Sequence, residues 1–482
     1  MKILFVRPYP PTYTIGLKNL MICEPLELEY IAAGLPGHTV EIFDMILEKN
    51  IEHKIKTFKP DILGTSSYIT GVSIVKDICT MAKKINRKII TIVGGVHATR
   101  LPADFDHSSI DIIARGEGVR LFKAIMQHLE AHTSLHAIPN LVLRDKNTLK
   151  FTQVKPLAVD VEHLPFPRRD LVKKYHKKYY YLFHQPVALM KTTFGCPFQC
   201  NFCFCWGITE GKVYTRSPES IVAEIEQIEV KDIYIVDDTF FINPAHLKRV
   251  HDLIVKKGIK KQFLTYCHAD FIVKHPDIIE AWAHIGLKAC IIGLESPIDS
   301  ELKKYEKKAS VAINTRALEI MHNNHIDIYG SFIVDPGWDK ADFQRLARYI
   351  ESTGLYFIVI QPLTPMPGTN IFADYQDTLT IERPDFELWD MQHAVIKTKL
   401  PLKEFYKQIR RIYTRMILNP FRAKKLDLRT IPSIFTKEYI RLLLGGMRVL
   451  SALRKAHRHL EMLHKEKNKG EQGGLFPQTT LK

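Results

Sequence analysis

The sequence predicts an α/β protein of two successive blocks of alternating strands and helices, followed by a helical, basic tail. Three observations carry that expectation. Short apolar runs alternate with amphipathic helical patterns through both blocks, the order produced by parallel sheets covered with helices. The chain has 482 residues, 46% of them hydrophobic and 25% charged, enough for about three domains with ordinary cores. A small binding module and a largely disordered chain are thereby excluded. The positive charge, finally, is unevenly placed: residues 401–482 hold 19 Lys+Arg against 6 Asp+Glu, so +13 of the net +16 lies there. No run reaches the roughly 18 apolar residues of a membrane-spanning helix. The opening Met1-Lys-Ile-Leu-Phe-Val-Arg-Pro8 is too short an apolar stretch for a secretory leader. The expected location is cytoplasmic.

In the first block, strands are expected at residues 2–6, 40–43, 61–66, 88–93 and 111–114, with helices near 24–34, 49–58, 72–85 and 119–130. This is the order of a flavodoxin-like or Rossmann-like domain, here 1–135, whose ligand sits at the carboxyl ends of its strands. The pattern loosens over 136–185, where Leu164-Pro-Phe-Pro-Arg-Arg169 and a Tyr/Lys-rich run at 175–181 read as a linker. The second block has strands at 187–193, 232–236, 262–266, 288–292, 327–334 and 356–361, and helices at 218–229, 244–257, 276–285, 311–324 and 340–353. Ser217-Pro218 is a cap followed by a first-turn proline. Six such units predict an incomplete (β/α)6 barrel over 186–400, whose functional face is the set of loops after the strands. Over 401–482 only helical patterns remain, at 403–418 and 437–464, ending in a Gly/Pro/Thr-rich stretch.

Four of the eight cysteines fall between 196 and 205. Cys196-Pro-Phe-Gln-Cys200-Asn-Phe-Cys203 places three of them on one loop directly after the first barrel strand. Such a loop can hold three irons of a [4Fe–4S] cluster and leave the fourth iron open to a small chelating ligand. Three buried core cysteines, or a zinc site short of one ligand, are the alternatives.

This loop resembles the signature of the radical S-adenosylmethionine (SAM) enzymes, and Phe202 fits the aromatic residue that the family carries before its third cysteine. The resemblance implies that Cys196, Cys200 and Cys203 hold the cluster, that SAM chelates the open iron, and that an electron from the cluster cleaves SAM to methionine and an adenosyl radical. Cys205 is additional and reads as a small buried residue. Later strand ends extend the likeness. Asp237-Asp238-Thr239-Phe240 is similar to a run beside SAM in such enzymes. Gly293-Leu294-Glu295-Ser296 resembles one whose glutamate bonds the ribose; a carboxylate at a barrel mouth can accept two hydroxyls, and the glycine allows close backbone approach. A strand-end salt bridge is the plainer reading of Glu295. Thr364-Pro-Met-Pro-Gly368-Thr369 resembles the loop that closes the adenosine pocket, or is simply a rigid turn.

In the first block, Ser66 and Ser67, Gly94 and Gly95 with His97, and Gly116 with Glu117 follow three expected strands. Small residues at neighbouring strand ends leave a slot where a flat ligand tail can lie against backbone. The set resembles the cobalamin-binding domain fused to one class of radical SAM enzymes. The Asp-x-His-x-x-Gly motif that supplies a cobalt-ligating histidine elsewhere is absent, so neither His97 nor His107 is expected to ligate, and the cobalt is expected to be held without a protein histidine. His457, His459 and His464 on the tail read as a solvated helix face rather than a metal set.

The runs 399–406, 332–336 and 342–343, and Asp335-Pro336-Gly337-Trp338 after the fifth barrel strand, look most like the hopanoid C-3 methylase branch. That implies a methyltransferase using two SAM molecules and cobalamin to methylate an unactivated carbon of an apolar, lipid-like substrate, supplied with electrons by a flavodoxin or ferredoxin type of donor. Another radical reaction, such as ring closure on a tetrapyrrole, is the alternative. An RNA-modifying role would need a stacking or groove-binding module, which the helical tail does not offer, so no nucleic-acid partner is expected. In the tail, residues 442–444, 449–450, Leu453 and Leu460 lie among Arg441, Arg448, Arg454, Lys455 and Arg458. The arrangement can lay apolar residues in a lipid interface, giving peripheral contact with the inner face of a membrane, or else pack on the barrel.

Overall fold

The computed structural model describes residues 1–16, 20–156, 158–355, 357–418 and 437–468. Five parallel strands, in the order Thr39–Asp44, Lys2–Arg7, Ile62–Ser66, Ile90–Gly94 and Ile112–Ala114, form the body of the first sheet. Numbered along the chain this is 2-1-3-4-5, the flavodoxin order. Ile3, Leu4, Phe5 and Val6 are all buried, as a strand covered on both faces requires.

The stretch expected as a linker is in part built into this sheet. Leu141–Asp145 pairs antiparallel with the fifth strand, and Thr148–Phe151 pairs with it in turn. Leu141, Val142 and Leu143 are buried, and Lys146 in the left-handed region (φ 54°) makes the turn. A run of three apolar residues is enough to extend a sheet edge. Further on, Tyr180–Tyr181 pairs with Met21–Ile22.

The second sheet is six-stranded, parallel and sequential: Val187–Met190, Asp232–Ile235, Gln262–Cys267, Leu287–Glu295, Asp327–Val334 and Phe357–Pro362. The first and last strands do not pair, so the barrel is open, as expected. Its helices start on local caps: Ser217 and Asn243 each accept a backbone N–H before a first-turn proline, and Asp339 with Asp342 forms a capping box. Leu26 and Tyr30, from the first domain's helix Leu26–Ala33, pack with Val187, Leu189, Tyr234 and Tyr329 of the barrel strands, so the two domains share one core.

The tail helix Lys437–Asn468 packs on the helix Leu402–Leu418, and Leu453, Ala456 and Leu460 are fully buried. The lipid-facing assignment of Leu453 and Leu460 is therefore corrected. Periodicity identifies an apolar face but not what covers it. Ile440, Leu443, Leu444 and Met447 do remain exposed. His459 is likewise not on a solvated face: it bonds His393 (3.1 Å), which bonds Asp390 (3.0 Å), and its edge meets Tyr13. The side chain of His464 lies outside the described residues. No described helix is long and apolar enough to cross a membrane.

A buried ion network fastens the domains. Glu24 accepts the backbone N–H of Leu189 (2.6 Å), Arg169 donates to Glu224 (2.8 Å), and Arg216 pairs with the same Glu224. Glu29, also buried, has no hydrogen-bond partner for either oxygen. Burial foremost, then Glu24, raises its pKa well above the usual carboxylate range. Its stabilising contribution is complete below the ordinary carboxylate pKa of about 4.3 and is lost as pH rises through the folded-state value. Urea midpoints should therefore fall as pH rises above about 5. Glu29→Gln, which keeps the shape without the charge, should fall less, with a gap that widens with pH. Parallel curves would contradict the assignment.

Candidate functional site

After the first barrel strand the chain makes a short pairing, Thr193–Phe194 with Tyr214–Thr215, and turns at Gly195 (φ 89°). A Cβ on Gly195 would collide with the carbonyl of Lys212, so glycine is required there. The cysteine loop follows. Cys203 N–H and Trp206 Nε1–H both donate to the Cys200 carbonyl (3.0 Å each), and Asn201 is tied to the carbonyls of Lys304 (2.8 Å) and Tyr305 (3.3 Å). Phe202 meets Tyr305 edge-on at 5.8 Å.

Burial foremost, then Cys203 and Cys200, pushes the Cys196 thiol up to about 11. Cys203 is lowered, chiefly by a hydrogen bond from Cys205, whose own thiol is raised well above its usual value by the same bond. As thiolates these side chains would repel one another, and a bound cation would relieve that repulsion. Among the described residues no three His, Cys, Asp or Glu side chains are placed to share a single metal ion. Three thiols on one loop are the donor set that a [4Fe–4S] cluster with one open iron takes.

Glu295 ends the fourth barrel strand just past a register shift and holds φ at 58°. For a non-glycine residue this costs about 1–3 kcal/mol. Its Oε1 accepts from Lys307 (3.0 Å), and a Cβ on Gly293 would collide with that oxygen. The plainer salt-bridge reading of Glu295 is thus true of this state, and the partner is Lys307. That buried ammonium stays charged against its desolvation because Glu295, then Cys200, hold its pKa up. Asp238 accepts Gly195 N–H (2.8 Å) and pairs with Lys191 (3.2 Å), while buried Asp237 clamps the backbone of Thr192 (2.6 Å). Gly368 (φ 90°) presents its carbonyl to Arg100 (2.7 Å).

In the first domain, Ser66 pairs in register with Gly94. Gly95 (φ 98°) would place a Cβ 2.7 Å from Ser66 Oγ and 2.8 Å from Ser67 N. Glycine is required in this cradle, the close approach of two strand-end loops, whereas a Cβ on neighbouring Gly94 would meet only Ala114 O at 3.8 Å, so the strand end there has the room expected of a cobalamin slot. Gly116 N–H donates to Thr99 (3.0 Å). Two expected residues face elsewhere. Glu117 caps its own helix, accepting from Val119 (2.7 Å) and Arg120 (2.8 Å). His97 is buried, with Nε2 on Asp104 (2.8 Å), which also takes Arg383 (2.9 Å). His107 bonds Ser109 (2.8 Å).

Three further residues carry no sequence pattern that marks them. Tyr68, just after Ser67, stands at the gap between the strand-end cradle and the cysteine loop; the protein mass around it foremost, then Glu27 and Cys205, pushes its phenol up. Arg100 crosses it, donating to the carbonyls of Gly207 (2.9 Å) and Gly368 (2.7 Å). Lys307 sits in a lysine-rich run that reads as surface. The runs resembling the hopanoid branch pack together behind the barrel: Lys399 N–H donates to Pro336 O (2.8 Å), and Phe343 meets Phe405 at 5.4 Å.

Comparison with known proteins agrees with these two faces. Residues 14–126 match the B12 binding domain and residues 190–350 the radical SAM superfamily. The chain is 31% identical to hopanoid C-3 methylase of Methylococcus capsulatus over 430 residues, covering 87% of this chain and 80% of that one. Among solved structures it is similar to OxsB with aqua-cobalamin bound (TM-score 0.71, 15% identity, 96% of this chain and 73% of that one). It is also similar to TsrM from Kitasatospora setae with cobalamin and a [4Fe–4S] cluster bound (TM-score 0.67, 14% identity, 94% and 99%). Fold and site together define a radical SAM enzyme with a fused cobalamin domain. The chain belongs to the cobalamin-dependent radical SAM methyltransferase family. Its cofactors are a [4Fe–4S] cluster, SAM and cobalamin.

Replacing Cys196, Cys200 and Cys203 together with alanine should abolish the cluster's visible absorbance and SAM cleavage, each by at least about tenfold, while Cys205→Ala retains both. Full activity in the triple variant would refute the ligand assignment. His97→Ala should keep cobalamin through gel filtration, and the paramagnetic spectrum of the bound cobalt(II) form should lack coupling to a histidine nitrogen. Such a coupling in the wild type would show that a protein histidine ligates after all.

Proposed function

We propose that this enzyme methylates an unactivated carbon of an apolar membrane lipid of the hopanoid type. The observation that carries the reading is the 31% identity to hopanoid C-3 methylase across 87% of the chain. A C–H bond too inert for removal by a base needs a radical cofactor, and the three cofactors together supply that radical and the methyl carrier.

Within this reading Cys196, Cys200 and Cys203 ligate three irons, and Phe202, Asp238, Gly293, Glu295 and Gly368 bound the SAM site. Lys307 holds Glu295 until ribose hydroxyls compete for it. Ser66, Ser67, Gly94, Gly95 and Gly116 line the cobalamin slot. His97 and Glu117 support it from behind, through Asp104 and through the helix Gly118–Glu130. The cobalamin domain is taken as 1–135, the radical SAM domain as 186–400 and the tail as 401–482, with 136–185 joining the first two. An external flavodoxin or ferredoxin type of protein supplies electrons. Exposed Ile440, Leu443, Leu444 and Met447, on a region of net charge +13, support peripheral contact with an anionic bilayer, at about 1 kcal/mol per engaged cation.

The test is an anaerobic incubation of the reconstituted enzyme with methyl-labelled SAM, reduced flavodoxin and hopanoid-bearing anionic vesicles. A lipid carrying one labelled methyl group on carbon is expected, and the enzyme should float with the vesicles, less so in high salt. An unlabelled, ring-closed product from a tetrapyrrole in the parallel arm would replace methylation with cyclisation. An enzyme that leaves the vesicles unbound and their lipids unmodified would remove the membrane-lipid substrate.

A further inference from the structure

One buried polar atom beside the cysteine loop has no partner and no role so far. His268 directly follows the third barrel strand and is 8% exposed. Its ring lies flat on Phe198, within the cysteine loop, with centroids 4.1 Å apart and planes inclined by 10°. Nδ1 accepts the backbone N–H of Asp270 (3.4 Å), which opens the helix Ala269–Lys274. A neutral ring bonded in this way carries its proton on Nε2. That Nε2 is buried and makes no hydrogen bond.

A buried donor left unmet loses its hydration without compensation, and native proteins rarely leave one. The charged groups acting on the ring are Lys307, Asp270 and Lys274, and burial foremost, then Lys307, holds its pKa down to about 3. The ring is therefore a neutral donor. Lys307 in turn acts on Cys200 and Cys203, so the ring stacked on Phe198 and the thiols of the same loop lie within reach of one ammonium.

We propose that His268 donates its Nε2–H to the sulfur shell of the iron–sulfur cluster and so sets its reduction potential. The inference rests on the cluster assignment for Cys196, Cys200 and Cys203. Reduction adds one electron to the cluster, and a hydrogen bond to its sulfurs favours the more negative state. The donor therefore raises the potential and keeps the cluster within reach of an external one-electron donor.

The experiment is a potentiometric titration of the reconstituted enzyme, followed by the electron paramagnetic signal of the reduced cluster. His268→Phe keeps the stack on Phe198 and removes the donor; His268→Gln replaces the N–H with that of an amide. The midpoint of His268→Phe should move to more negative potential, and His268→Gln should recover most of the shift. SAM cleavage by His268→Phe should suffer more with a weak reductant than with a strong one. Equal midpoints for His268→Phe and wild type, or equal shifts for the two variants, would overturn the proposal. A reading independent of either variant comes from wild type labelled with 15N-histidine. A weak histidine nitrogen coupling to the reduced cluster is expected, and its absence would equally overturn the inference. Failure of the wild type to form any cluster would instead sink the cluster assignment itself.

Discussion

The arrangement depends on one buried charge network. Glu24, Arg169, Glu224 and Arg216 join the helix Leu26–Ala33 region of the first domain to the first barrel strand and the helix Pro218–Gln227. A buried ion pair adds little net stability, because desolvation offsets most of the attraction. Removing one partner, however, leaves an uncompensated charge at a cost of about 3–5 kcal/mol. The network therefore selects one docking geometry. Leu26 and Tyr30 then fill the open side of the barrel, which turns the strand ends of both domains toward the same gap. Strand-end loops from the two sheets meet, at Arg100 with Gly207 and Gly368, because that docking is fixed.

Local strain and charge concentrate on the barrel side of this gap. Glu295 holds a left-handed backbone without being glycine, and Asp237 and Asp238 are both spent on holding the cysteine loop in register. Several kilocalories of unfavourable conformation and desolvation gather within one ring of loops. The barrel core beneath it, from Met190 through Trp282 to Phe343, is apolar and packed. That core can carry the strain, since the loops are anchored at strand ends that do not move independently.

How much of this was legible depended on whether a feature is local. The alternation of strands and helices, the cysteine spacing, and the glycines at Gly94, Gly95 and Gly368 are local requirements of backbone and ligand, and they can be read in order along the chain. The hairpin Leu141–Asp145 with Thr148–Phe151 was hidden because three apolar residues do not establish a period. Leu453 and Leu460 were ambiguous because a buried helix face and a lipid-facing one share the same spacing. Glu117 and His97 sat in the expected places, but their partners Val119, Arg120 and Asp104 decided their direction. Lys307, Arg100 and His268 had no signal at all, because each is defined by a neighbour far away in sequence.

Arg100 shows most clearly what tertiary placement adds. It stands at the end of the helix Val96–Arg100, one turn from the Gly95 cradle, and its side chain reaches two carbonyls of the barrel domain. One carbonyl, Gly207, belongs to the helix that follows the cysteine loop; the other, Gly368, belongs to the loop after the last strand. A planar guanidinium can serve both at fixed angles, whereas a lysine offers a single point charge and cannot hold two carbonyls in a set relation. Methyl transfer between two cofactors is governed by separation and direction, where small misplacements have large consequences for rate. The strand-end cradle of the first domain and two loops of the barrel domain are thus tied by one rigid fork. The distance between the two loop sets is set by the chain itself.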